Sequence, residues 1–230
     1  MNWTSTDGVR RYVVVTGLMA GPALLVASNA FIVPDAPGGM RAEFAAMAAQ
    51  PWLLLVQSLL EALGFTIAMA SFAGVPHALR GRGGALGTWG AALCIVGILG
   101  FVLSAAGGLF LYVVARMPDA GAGFAAGAAL NADAVTGNIV MILMLAGEVG
   151  VCLIVIGLMR ARLISFWPLV IVLAGIVADY VLPSIFSGLV ADVLLLAAST
   201  WVGIRLAKAP RAVWLGDAVD ARRARPVAAG

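Results

Sequence analysis

The sequence predicts an all-α fold: a polytopic membrane helix bundle of six transmembrane helices with both termini in the cytoplasm. Three observations carry this. Of the 230 residues, 63% are hydrophobic and only 11% are charged, with a mean hydropathy of +1.05, so the chain has too little polar surface to cover a water-soluble globule. Six apolar stretches are each long enough for a hydrocarbon core, which needs roughly 20 helical residues. The basic residues between them fall alternately on and off one side, as an even number of crossings requires.

The first span runs from about Tyr12 to Val33, after Arg10 and Arg11, and closes at the turn-forming run Pro34-Asp35-Ala36-Pro37-Gly38-Gly39. A cleaved signal peptide is the rival, with Ser28-Asn29-Ala30 as its cleavage site. It is disfavoured because the apolar run continues through Phe31-Ile32-Val33 and the remaining count would be odd. Met40, Phe44 and Met47 then recur at helical spacing before Gln50-Pro51, which suggests a short helix lying in the interface. The second span, about 52–75, meets a basic turn with His77, Arg80 and Arg82. The third, about 86–115, is too long to cross upright and must tilt or begin outside the hydrocarbon. The Gly/Ala-rich connection from Arg116 to Thr136 fits either a second interfacial helix or a flexible loop. The fourth span, about 137–159, reaches the basic turn Arg160-Ala161-Arg162, and the fifth, about 163–182, returns to Pro183-Ser184. The sixth, about 187–206, completes a transmembrane domain over 1–208, leaving 209–230 as a basic cytoplasmic tail with Arg211, Arg222, Arg223 and Arg225.

Of the 14 Lys and Arg residues, all but Arg41 and Arg116 fall on the side assigned to the cytoplasm. The pI near 9.3 is therefore explained by membrane orientation and calls for no nucleic-acid partner; the tail is suited to anionic lipid. Trp3, Trp52, Trp89, Trp167, Trp201 and Trp214 cluster toward span ends as an aromatic belt. Gly17 and Gly21, then Gly83, Gly87, Gly97 and Gly100 with Cys94, then Gly147 and Gly150, give small-residue faces on which helix backbones can approach. Cys94 and Cys152 sit in apolar runs at similar depth and read mainly as small apolar fillers, a functional thiol pair being the lesser alternative.

Four carboxylates fall within the spans, and no Lys or Arg lies deep in any of them. Counted from the outer ends at ~1.5 Å per residue, Glu61 and Glu148 lie ~14 to 17 Å deep, near the midplane, and Asp179 and Asp192 ~5 to 8 Å deep. An ionised carboxylate in hydrocarbon costs at least ~2.5 kcal/mol, so each must be protonated, paired, hydrated or bound to a cation. Gln57 lies one turn above Glu61 on the same face, Asn138 opens the fourth span and Asn29 nears the end of the first. Pro183 removes the amide that would bond the carbonyl of Asp179. Together these residues predict a polar cavity opening outward, over an apolar cytoplasmic half. Glu61 and Glu148 occupy matching places in a faint repeat of two helices, second plus third against fourth plus fifth, and transporters place sites at such junctions. The alternative is structural: each Glu hydrogen-bonded to a neighbour, and each Asp interfacial or paired with Arg41 or Arg116.

His77 is the single histidine, placed in a basic turn, which excludes bis-imidazole haem ligation and argues against a His-built metal site. A span without Lys excludes a retinal Schiff base. P-loop, HExxH and GxSxG motifs are absent from the sequence, so no cofactor and no metal are expected.

The segment Arg10-Arg-Tyr-Val-Val-Val-Thr-Gly17, Glu61 in the second span, Leu130-Asn-Ala-Asp-Ala134, and Gly157-Leu-Met-Arg-Ala-Arg-Leu-Ile-Ser-Phe-Trp-Pro168 resemble a group of uncharacterised six-helix bacterial integral membrane proteins. The resemblance covers nearly the whole chain and implies the fold and a multi-pass place in a bacterial inner (plasma) membrane, with no functional residues to carry over. Three functions fit. The first binds or transports a cation or small molecule, with Glu61 and Glu148 holding the proton or cation and Asp179 and Asp192 lining the entrance beside Gln57, Asn138 and Asn29. The second, of equal weight, is an accessory or scaffold subunit that serves a membrane protein partner or a homo-oligomer. The third, least favoured, is an intramembrane enzyme using the carboxylates as acid and base.

Overall fold

The computed structural model describes residues 6–32, 40–79, 83–182 and 184–209, and over these the chain is all-helical. Eight α-helices follow one another: α1 (Thr6–Ser28), α2 (Met40–Ala49), α3 (Pro51–Gly74), α4 (Gly84–Ala115), α5 (Ala120–Ala132), α6 (Ala134–Arg160), α7 (Trp167–Val181) and α8 (Ser184–Lys208). One turn of 3₁₀ helix extends α1 over Asn29–Phe31 and another extends α3 over Val75–Ala78. Five segments are long and apolar enough to cross a membrane: Gly8–Phe31, Pro51–Ala78, Gly84–Ala115, Ala134–Arg160 and Ser187–Lys208.

The stretch expected to form a fifth span over 163–182 is shorter than predicted. Its helix is the 15-residue α7, because Leu163–Phe166 are spent on the return from α6. Arg162 adopts a left-handed φ of 60° that turns the chain, and Pro168 in the first turn of α7 fixes where the helix can start. The Pro183 expectation lies outside the described residues, as do the tail beyond 209 and Arg80 and Arg82. The open choice for 116–136 resolves as helix: Asp119 caps α5 by accepting from the amides of Gly121 (2.8 Å) and Ala122 (3.1 Å). The short helix expected before Gln50 is α2, and its Phe44 meets Phe124 of α5 edge to face at 5.9 Å.

The other six helices form a ring in chain order: α1 against α3, α3 against α4, α4 against α6, α7 against α8, and α8 back against α1. Only the α6–α7 seam is sparsely packed. The tightest joint, α4 with α6, is built from glycine. A Cβ on Gly97 would fall 2.3 Å from the Gly147 Cα, one on Gly100 2.5 Å from the Met144 amide nitrogen, and one on Gly150 2.7 Å from the Cys94 amide nitrogen. Such contact substitutes close backbone approach for a hydrophobic drive. Gly83, which starts α4 at φ 97°, combines a left-handed conformation with a similar approach to the Gly157 carbonyl.

The two ends of the ring differ. One carries Arg10, Arg11, Arg160, Arg162, Arg205 and Lys208. In this basic half the buried core is continuous, with Val14 and Leu18, Met69, Phe72 and Val75, Ile154 and Leu158, and Val202 and Leu206 packed together. Arg11 donates to the carbonyl of Ala207, so the start of α1 and the end of α8 meet at this end. The other end is flanked by α2 and α5.

A carboxylate-lined cavity within the helix ring

Residues from all six ring helices enclose a cavity of about 280 Å³ that begins where the packed core stops. Along α3 it is lined by Gln57, Glu61, Phe65 and Met69, a four-residue repeat that keeps to one helix face and descends ~18 Å. Asn29 comes from the end of α1, Phe101 from α4, Met144 and Glu148 from α6, Asp179 from α7, and Ser187 and Asp192 from α8.

Six of the seven polar residues singled out in the sequence, Asn29, Gln57, Glu61, Glu148, Asp179 and Asp192, thus line one cavity. The seventh does not: Asn138 is exposed in the first turns of α6 and is not among the lining residues. It lies ten residues before Glu148, ~15 Å farther along the axis and roughly 80° round the helix.

Two carboxylates have amide partners. Gln57 Nε2 donates to Glu61 Oε1 at 2.8 Å. Asn29 Nδ2 donates to Asp192 Oδ2 at 2.9 Å and also to the Leu25 carbonyl at 2.9 Å, which ties the cavity wall to the end of α1. Glu148 interacts with the Tyr180 side chain across the α6–α7 seam, while its Oε2 atom is buried without a hydrogen-bond partner. The carboxylates lie within electrostatic reach of one another, Asp192 of Glu61 and Asp179, and Glu148 of Asp179. The alternative pairing with outer arginines is not adopted by Asp192, and both arginines engage rings instead. Arg41 lies over Phe124 at 5.6 Å, and Arg116 lies over Tyr112 at 5.3 Å while donating to its hydroxyl at 2.6 Å.

Sequence reasoning missed the apolar part of the lining. Phe65 and Phe101 stack at 3.9 Å with their planes 11° apart, and Met69 and Met144 extend that surface. The signal was available on α3, where Phe65 and Met69 continue the stripe begun by Gln57 and Glu61. Ser187 and Tyr180 were also missed, since neither falls beside a carboxylate at helical spacing that marks a shared face. The supposed repeat is unequal in packing: α3 and α4 pack closely, whereas α6 and α7 barely meet. Cys94 and Cys152 are both free, and the Cys94 thiol points to the Gly147 carbonyl at 3.9 Å within the α4–α6 joint. His77 is exposed in the turn after α3.

Comparison of the chain with family models, curated proteins and solved structures gives no match.

Proposed function

We propose that the chain is a six-span membrane protein of the bacterial group it resembles, with both termini in the cytoplasm, and that the cavity binds a cation or small molecule entering from the outside. The observation that carries this reading is the gathering of Glu61, Glu148, Asp179 and Asp192 from four helices around one cavity whose lining, among the described residues, contains no Lys, Arg or His. Carboxylates are costly within a membrane-embedded bundle and are normally kept for a purpose. Support for six crossings comes from the contact of Arg11 with Ala207, which brings both ends of the ring to one side. In this reading α7 is the sixth crossing segment, an apolar helix shorter than the other five. Transport is the natural extension, since the cavity ends against the packed core of the basic half.

The amide partners of Glu61 and Asp192 favour a second reading, in which the polar groups fix helix register and the function lies with a partner subunit. Thermal stability of the detergent-purified protein separates the two. Wild type, Glu61→Gln and Glu148→Gln are melted against a panel of inorganic cations and small organic molecules. A ligand binding only the folded state raises Tm by mass action, by ~2.7 kcal/mol of stability at a hundredfold excess over Kd. We expect a stabilising ligand whose effect is lost in both variants. No stabilisation by any panel member, with both variants melting like wild type, leaves the register reading in its place.

A further inference from the structure

We infer that the ligand of this cavity is an organic monocation, an ammonium group carried on an apolar body, and not an inorganic metal ion; this deepens the proposed function and rests on its reading of the cavity as a ligand site. The sign of the charge follows from the lining, which among the described residues carries four carboxyl groups and no cationic side chain. The size and shape of the ligand follow from how those groups are spaced. They come from α3, α6, α7 and α8, and among the described residues no three His, Cys, Asp or Glu converge closely enough to hold a metal ion. A bare Na⁺ or Mg²⁺ needs a tight shell of oxygens at ~2.0–2.6 Å, and much of the remaining wall is apolar.

That apolar wall gives the second half of the inference. Phe65 and Phe101, stacked as a single aromatic surface, with Met69, Met144, Val151, Val172 and Leu195, offer dispersion contacts and no oxygen ligands. They would strip water from a hydrated ion and return nothing, but they match an alkyl or aryl chain, and aromatic faces and thioethers also accept the positive edge of an alkylammonium. Glu148 is the carboxylate assigned to the ammonium: it lines the cavity, whereas Glu61 and Asp192 already accept from amide groups. The ammonium N–H group is placed there, with the apolar body directed toward Phe101. At about 280 Å³ the cavity is near the small end of ligand sites, ~300–1,000 Å³, suited to one ring or a short chain and too small for a lipid.

The test is calorimetric titration of the full chain in detergent with phenethylamine, methylammonium, the neutral 3-phenylpropanol, sodium and magnesium. Phenethylamine should bind at least tenfold tighter than either methylammonium or 3-phenylpropanol, because only it fills both parts of the site. Glu148→Gln should weaken phenethylamine at least tenfold, and Phe101→Leu should weaken it about fivefold while leaving methylammonium unchanged, a split that general unfolding would not produce. Phe65→Leu serves in place of Phe101→Leu if the latter does not melt as one folded species. Binding of sodium or magnesium without phenethylamine overturns the inference and leaves the cavity a cation site. Equal binding of phenethylamine and 3-phenylpropanol overturns it in favour of a neutral ligand. No heat with any of the five overturns both the inference and the proposed function.

Discussion

Gly97 and Gly107 lie ten residues apart on α4 and face opposite fates on gaining one methyl group. At Gly97 the new Cβ meets Gly147 backbone, at 2.3 Å from Cα and 2.8 Å from N, and backbone cannot step aside as a flexible side chain can. At Gly107 nothing lies within 4 Å. Gly97→Ala should therefore cost ~1–3 kcal/mol as overpacking, read as a fall in Tm, whereas Gly107→Ala should remain within ~1 kcal/mol of wild type, on the stabilising side. An unchanged Tm for Gly97→Ala would mean that α4 and α6 do not approach as described. The sequence made the small-residue faces legible but not their partners, since spacing along one helix says nothing about which helix fills the groove. The same limit applied to the site. Gln57 and Glu61 share a face by their four-residue spacing, while Asn138 was grouped by its polarity and its place at the outer start of the span, although its distance from Glu148 along and round α6 was open to calculation.

At the scale of elements, helix ends were the hardest to read. α5 is rich in glycine and alanine, whose preferences oppose each other, so composition left it open, and the capping carboxylate of Asp119 decides it. Asp133 does the same for α6, accepting from the Thr136 hydroxyl and, at 3.2 Å, from the Val135 amide. The Thr136 hydroxyl, aided by the amides of Val135 and Thr136, holds the Asp133 carboxyl below its ordinary range. A group with a lowered pKa in the folded state stabilises it above the unfolded value, and that contribution fades as pH falls through the folded value. The start of α6 should thus be fully capped at neutral pH and fray only in acid below the ordinary Asp range. NMR shifts of Val135 and Thr136 should follow this titration in wild type and lose it in Asp133→Asn, which keeps an acceptor without a charge to titrate. A Val135 titration that persists in the Asn variant would assign it to another group. The late start of α7 had its signal in Pro168, outweighed in the hydropathy by the apolar Leu163 and Ile164 before it.

At the scale of the whole molecule, the apolar composition announced the helical class, and the placement of basic residues yields a topology that remains a proposal. Ring order was not legible, because packing between distant helices leaves no mark on local periodicity. The topology is testable without knowledge of any ligand. In a Cys94→Ala, Cys152→Ala background, Arg10→Cys and Lys208→Cys should be shielded from a membrane-impermeant thiol reagent added to intact cells, and Gly121→Cys should react. With five crossings, Arg10→Cys and Lys208→Cys would differ from each other, and the six-span topology would fall.

The ring also has an unequal distribution of stiffness. Four of its joints hold helices that follow one another through close packing or meet across the α1–α8 closure, and a fifth, α7 with α8, is equally well made, but the seam between α6 and α7 has little to resist separation. A hoop cut at one place does not flex evenly; it springs at the cut. Thermal motion will gather there, and because Glu148 and Tyr180 interact across that cut, the least constrained boundary of the molecule passes through the cavity wall itself. A binder that clamps the turn at 161–166 would therefore rigidify the compartment from a distance, without touching any residue inside it.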